Sequence, residues 1–252
     1  MKDIYFLSSL PRAGNTLLGS IINDNKNVKC TANSITPFIL DDLFKLKEHL
    51  TFKNFPDHKS LDNLIKNVFK KYYENWNVDV IIDRSVWGTP GNLKYLKHIF
   101  KEPKFILLIR PVLECISSFV RLQIENGTDE NVIKENIYSL LDINTGIIGK
   151  SLWSIDNIIK TKQNYKIFYY KDLVNNTDSF LKDLSEYIKV DIKLPNTLKQ
   201  FSVNNIKYDD SVHKFNLHTI KTESIESSKY NVMKYIPKEI IKRYKESNEN
   251  YR

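Results

Sequence analysis

Four largely apolar runs divide the chain and read as strands: Ile4–Leu7 and Val78–Ile82, both buried, then Lys104–Ile109 and Lys166–Tyr170. Between them, apolar residues recur at helical spacing. Thr16 to about Asn23 carries Leu17, Leu18, Ile21 and Ile22. Ile35–Leu50 carries Phe38, Leu43, Leu46 and Leu50, and Leu61–Trp76 carries Ile65, Val68, Phe69 and Tyr72. Asn92–Phe100 predicts another helix, and Pro111 suits the first turn of one running to about Ile124. Asp129–Thr161 reads as mostly helical, broken near Gly146 or Gly149. Asp178–Ile188 and Lys238–Glu249 complete the helices, and residues 190–230 read as irregular.

Strands alternating with helices predict an α/β fold: a parallel sheet flanked by helices on both faces. With no repeat and no linker, residues 1–252 read as a single domain, with a helical insert at about 35–76 and an irregular C-terminal region at 190–252. Ligands of such sheets sit beyond the carboxyl ends of the strands. Three polar clusters follow strands directly, Ser8–Thr16, Asp83–Asn92 and Arg110–Ser118, and Tyr170–Asp172 follows the fourth. All four therefore belong on one rim.

Composition narrows this picture only a little. An apolar content of 41% supports a real core, and a net charge of +8 suits an anionic ligand without singling out nucleic acid. Two cysteines, Cys30 and Cys115, offer neither a disulfide framework nor metal spacing, and no H-E-x-x-H is present. The N-terminal stretch lacks the apolar length of a signal peptide, and no run approaches a membrane span. The expected setting is soluble, reducing and cytoplasmic, with no metal.

The sharpest chemistry lies in FLSSLPRAGNTLLGSII, residues 6–22. This is a strand, a turn and a helix start, as in the P-loop G-x-x-x-x-G-K-[ST]. Here Asn15 stands where the P-loop lysine belongs, and Ser9 replaces the first glycine. A nest of N–H groups at a helix N-terminus, with Arg12 as a clamp, binds an anion. A magnesium triphosphate needs the missing lysine's charge; a less charged group does not. In LLIRPVLECISSFVR, Arg110 ends a strand and Ser118 follows eight residues later, a pair able to grip a phosphate, with Arg121 adding charge. In IIDRSVWGTPGN, Arg84 offers a further cation beside Arg12, and in FYYKDLV the Tyr170 ring could stack on a base. Each signal alone has an ordinary structural explanation.

Together these elements resemble the sulfotransferases that use 3′-phosphoadenosine 5′-phosphosulfate (PAPS), in their microbial and protein-tyrosine branch. LPRAGNTLL is similar to the family's P-R-S-G-[ST]-T-L-L, Arg110 with Ser118 to R-D-P-x-x-x-x-x-S, and YYKDL to Y-E-D-L. FNLHTIK at 215–221 resembles a late L-H-T-[IV]-R element. Ala13, Asn15, Pro111 and Lys171 depart from those patterns without removing a cation. The resemblance implies a P-loop-like fold and in-line transfer of a sulfuryl group from PAPS to an acceptor hydroxyl or amine, leaving 3′-phosphoadenosine 5′-phosphate (PAP), without a metal.

It also implies residue roles. Arg12, Ala13, Gly14, Asn15, Thr16 and Leu17 would hold the 5′-phosphosulfate, Arg110 and Ser118 the 3′-phosphate, and Tyr170 the adenine. Arg12 and Arg84 would meet developing charge. His218 is the first candidate for the base, with His49, Asp83 and Asp209 as less specific alternatives. The acceptor stays open among a small molecule, a glycan and a protein tyrosine. Two other classes also remain open: a nucleotide-dependent kinase or phosphotransferase, and a non-enzymatic anion- or nucleic-acid-binding module.

Overall fold

The computed structural model describes residues 2–209, 219, 220, 225 and 232–247. Five parallel strands form the central sheet: β1 (Asp3–Ser9), β2 (Val28–Cys30), β3 (Val80–Arg84), β4 (Lys104–Ile109) and β5 (Asn164–Tyr169). Their spatial order is β2-β3-β1-β4-β5. The chain leaves β1 for the β2 edge and leaves β4 for the β5 edge. Loops from these two adjacent strands therefore diverge, which opens a crevice at their carboxyl ends.

Strand alternation sends neighbouring side chains to opposite faces. Phe6 packs edge-on against Phe69, Trp87 and Phe100, with centroids 5.0–5.5 Å apart. Tyr5 meets Tyr187 on the other face, at 5.6 Å. Both faces are thus covered, and continuous apolar runs such as KFILLI are what such strands require.

The helices are α1 (Asn15–Asp24), α2 (Thr36–Lys45), α3 (Leu50–Asn54), α4 (His58–Lys66), α5 (Val68–Tyr72), α6 (Pro90–Ile99), α7 (Val112–Glu125), α8 (Glu130–Leu141), α9 (Ile147–Lys160), α10 (Tyr170–Asn175), α11 (Thr177–Ile188) and α12 (Lys238–Ser247). The insert at 35–76 is more broken than its spacing predicts. His49 Nδ1 caps α3 by accepting from the Thr51 N–H, and Asp57 caps α4 by accepting from Ser60. Asn67 turns its amide back onto Asn63 where α4 ends.

The expected break in 129–161 falls at 142–146. Asp142 there accepts from the Asn144 and Thr145 N–H groups at 3.0 and 2.7 Å. A Cβ at Gly146 would stand 2.3 Å from the Ser139 carbonyl, so the missing side chain is what lets this turn close.

Two expectations need correction, and one strand was not expected. Val28–Cys30 is a strand, too short for its periodicity to register. Tyr170 does not end β5 but starts α10, because pairing with β4 stops at Ile109 and Tyr169. The 190–230 stretch contains a small hairpin, β6 (Ser202–Val203) with β7 (Ile206–Lys207). Its turn residues, Asn204 and Asn205, both have positive φ, as two-residue hairpin turns need. Among the described residues, no helix is long and apolar enough to cross a membrane.

One buried acid organises the α5–α6 face. Asp83 is fully enclosed and accepts from Ser34 (2.9 Å), Thr36 (2.8 Å), Tyr73 (2.6 Å) and the Trp87 indole (3.2 Å). Burial pushes its pKa up to about 6, against the downward pull of those donors. A carboxyl raised above its unfolded value keeps its proton longer when native. Stability from this group is therefore greatest below the unfolded pKa and falls as pH rises from about 4 to about 6. The span corresponds to about 3 kcal/mol at 1.36 kcal/mol per pKa unit. Asp83→Asn removes the titration, so the stability difference between wild type and variant, from urea unfolding at pH 4 to 7, is expected to shift by up to that amount. An unchanged difference would show that Asp83 titrates alike in both states.

Candidate nucleotide site

The turn after β1 is closed by three bonds onto backbone carbonyls. Leu10 N–H donates to the Leu108 carbonyl of β4 (3.3 Å), Ala13 N–H to Leu10 (3.3 Å), and Asn15 Nδ2 to Leu10 (2.8 Å). Arg12 (φ 63°) and Gly14 (φ 86°) are left-handed on either side of Ala13. Alternation of hand curls successive N–H groups toward one point and forms an anion nest. Gly14 then caps α1 without a side-chain bond. The N–H groups of Asn15, Thr16 and Leu17 have no partner within the helix, whereas Leu18 returns to the Gly14 carbonyl. Gly14 is required twice over. Its φ disfavours a side chain, and a Cβ would lie 2.8 Å from the Tyr170 ring.

Four residues singled out in the sequence converge here. Arg12 Nε donates to Ser118 Oγ at 3.0 Å. Arg110 Nη1 donates to the Arg12 carbonyl at 2.7 Å. The Arg110 guanidinium also lies over the Tyr170 ring, 4.1 Å from its centroid. Three elements supply the parts: the β1–α1 turn, the β4 end with α7, and the start of α10. Burial, and then the charge on Arg110, push the Arg12 pKa down, with Arg121 adding to the effect. A guanidinium stays a cation even so. An anion among these groups would relieve their mutual repulsion.

The structure does not join Arg84 to Arg12. Arg84 leaves the β3 end on the face opposite Asp83, and its Nη1 donates to the Ala32 carbonyl. Its backbone holds the same loop, since its N–H donates to Thr31 Oγ1 (2.8 Å) and its carbonyl accepts from Ser34 (2.9 Å). Burial pushes its pKa down, and the titratable side chains of Cys30 and Tyr208 lie near it. Tyr208, which the sequence did not single out, accepts from Asn33 Nδ2 at 3.1 Å. Glu114 was also missed. Its Oε2 accepts from Arg110 Nε at 3.0 Å, and the four-residue spacing on a helix was the available signal.

Candidate bases fare unequally. Asp83 has its oxygens filled by four donors on the far face of the sheet. His49 is an exposed helix cap. Asp209 is exposed just beyond β7. His218 lies outside the described residues. Of the FNLHTIK element, Thr219 and Ile220 are described, and Ile220 exchanges two hydrogen bonds with the Gln200 amide.

No family model matches the sequence. Solved structures do match. The sulfotransferase domain from the curacin biosynthetic pathway is 20% identical, covering 90% of this chain and 88% of that one, at a TM-score of 0.57. The sulfotransferase domain of the Synechococcus PCC 7002 olefin synthase is 18% identical, covers 93% of both chains, and has a TM-score of 0.53. A sulfotransferase from Alicyclobacillus acidocaldarius is 9% identical over 85% of this chain and 89% of its own, at 0.50. With its five parallel strands, flanking helices and phosphate-type turn after β1, this chain has the sulfotransferase fold.

Proposed function

We propose that this protein is a PAPS-dependent sulfotransferase acting on an acceptor hydroxyl or amine. The observation that carries the reading is the convergence of Arg12, Arg110, Ser118 and Tyr170 around a left-handed turn at a helix start. The donor set fits such a nucleotide. Helix-start N–H groups without a partner within the helix suit an anion, two guanidiniums suit two anionic centres, and an aromatic ring suits a base. Asn15 is neutral where nucleoside-triphosphate enzymes carry lysine, which favours sulfuryl over magnesium-assisted phosphoryl transfer.

The donor, when bound, supplies a sulfuryl group activated by a phosphate leaving group. The chain's own residues position and stabilise. The N–H groups of Asn15, Thr16 and Leu17 hold the phosphosulfate end, and Thr16, half-buried at the mouth of the turn, adds a hydroxyl. Arg12 donates to oxygens on which charge grows, the kind of electrostatic help that oriented donors give best. Arg84 acts apart from Arg12, as a positioning cation at the β3 end that holds the 31–34 loop through the Ala32 carbonyl. His218 is the proposed base that takes the acceptor's proton.

Titration calorimetry in chelator tests the reading. PAP is expected to bind at micromolar concentration without added metal; binding that needs Mg²⁺ would return the kinase reading to the front. Arg12→Lys keeps the charge but loses the planar two-pronged grip. Turnover of PAPS is expected to fall by about 10²–10³-fold, the cost of one oriented donor, while PAP affinity falls much less. Near-normal turnover would remove Arg12 from the chemistry. His218→Ala is expected to slow transfer to a poorly acidic alcohol more than to an acceptor already ionised at the assay pH. Equal rates for variant and wild type with the alcohol would mean that another group takes the proton.

A further inference from the structure

Arg110 is 7% exposed, and its guanidinium is committed on three sides. Nη1 donates to the Arg12 carbonyl, the cationic plane covers Tyr170, and Nε donates to Glu114. The first two partners are neutral. The third is a carboxylate in the first turn of α7, with its side chain 52% exposed. A guanidinium grips phosphate along an edge shared by two nitrogens. The edge that includes Nε already carries Glu114. The edge between the two Nη atoms shares a nitrogen with the Arg12 carbonyl. A phosphate on the first edge displaces the carboxylate, and one on the second sits close beside it. Either way, Glu114 opposes the incoming charge.

The plain role of an acid at this position is to suit the helix dipole and pair with an arginine four residues away, both weak effects. Two features go further. The cation is nearly buried while its carboxylate partner is half exposed, and the same cation braces the turn at Arg12. We infer that Glu114 is an internal counter-anion that weakens the hold on the 3′-phosphate and so sets how fast the spent nucleotide leaves. The inference rests on the PAPS reading above. Donor and product share that phosphate, so a stronger grip would retain the product, and product release limits many enzymes. Glu114 acts through Arg110 and touches no reacting atom.

Glu114→Gln separates charge from bracing, because its amide oxygen can still accept from Arg110 Nε. Glu114→Ala removes both. Calorimetry with PAP and with adenosine 5′-phosphate reads the difference. Both variants are expected to bind PAP about tenfold tighter, the scale of one removed charge, with adenosine 5′-phosphate unchanged. In steady-state transfer, KM for PAPS and kcat are expected to fall together. Unchanged PAP affinity in Glu114→Gln overturns the inference, as does weaker binding in Glu114→Ala alone, which would mark a simple brace. Equal tightening of both nucleotides would place the effect away from the 3′-phosphate, and an unchanged kcat would overturn the release step. If neither wild type nor variant binds PAP, the donor reading fails and the inference falls with it.

Discussion

A bond between residues 98 positions apart ties the two halves of the functional rim to each other: Arg110 Nη1 to the carbonyl of Arg12. Arg12 is a non-glycine residue in the left-handed region, a conformation that costs about 1–3 kcal/mol and persists only where its surroundings impose it. The guanidinium pins the carbonyl, Ser118 takes the side chain, and Asn15 closes the turn onto Leu10. The strained turn is thus over-determined from outside. The sheet makes this possible, since Ser9 and Leu108 are register partners and Arg110 emerges beside the turn it grips.

The two-residue period of a strand separates the roles of neighbours. Asp83 and Arg84 are adjacent in sequence, yet one faces the aromatic core and the other the rim loop at 31–34. Asp83 gathers Ser34 from that loop and Thr36 from the start of α2, so both faces of β3 fix the same connection. The β2–α2 connection is therefore held from above and below, with Arg84 as its cationic side.

Much of this was readable in advance, for identifiable reasons. Continuous apolar runs marked β1, β3 and β4 because central parallel strands are buried on both faces, and the apolar residues of β5 marked it although it lies at the sheet edge. Their polar sequels marked the rim, and Arg12, Arg110, Ser118 and Tyr170 meet there. What was not readable depended on tertiary context. A three-residue strand such as β2 has no period to detect. The restarts at Leu50 and His58 carry side-chain caps from His49 and Asp57, and α4 stops where Asn67 turns its amide onto Asn63. A strand end on the same rim and the family resemblance put Arg84 beside Arg12, but the loop carbonyl at Ala32 captured its guanidinium. Glu114 was overlooked because an acid at a helix start is commonplace, and its meaning depends on how deeply Arg110 is buried.

Trp87 gives the buried acid an optical handle. Its indole is fully enclosed and donates to both the backbone and the carboxylate of Asp83, while Trp76 and Trp153 lie nearer the surface. Indole emission responds to a charge appearing within hydrogen-bond distance. The intrinsic fluorescence of the native chain should therefore carry a core titration that is spatially separate from events at the rim. Spectroscopic changes near neutrality would then need to be assigned to one face of the sheet or the other before being credited to a ligand.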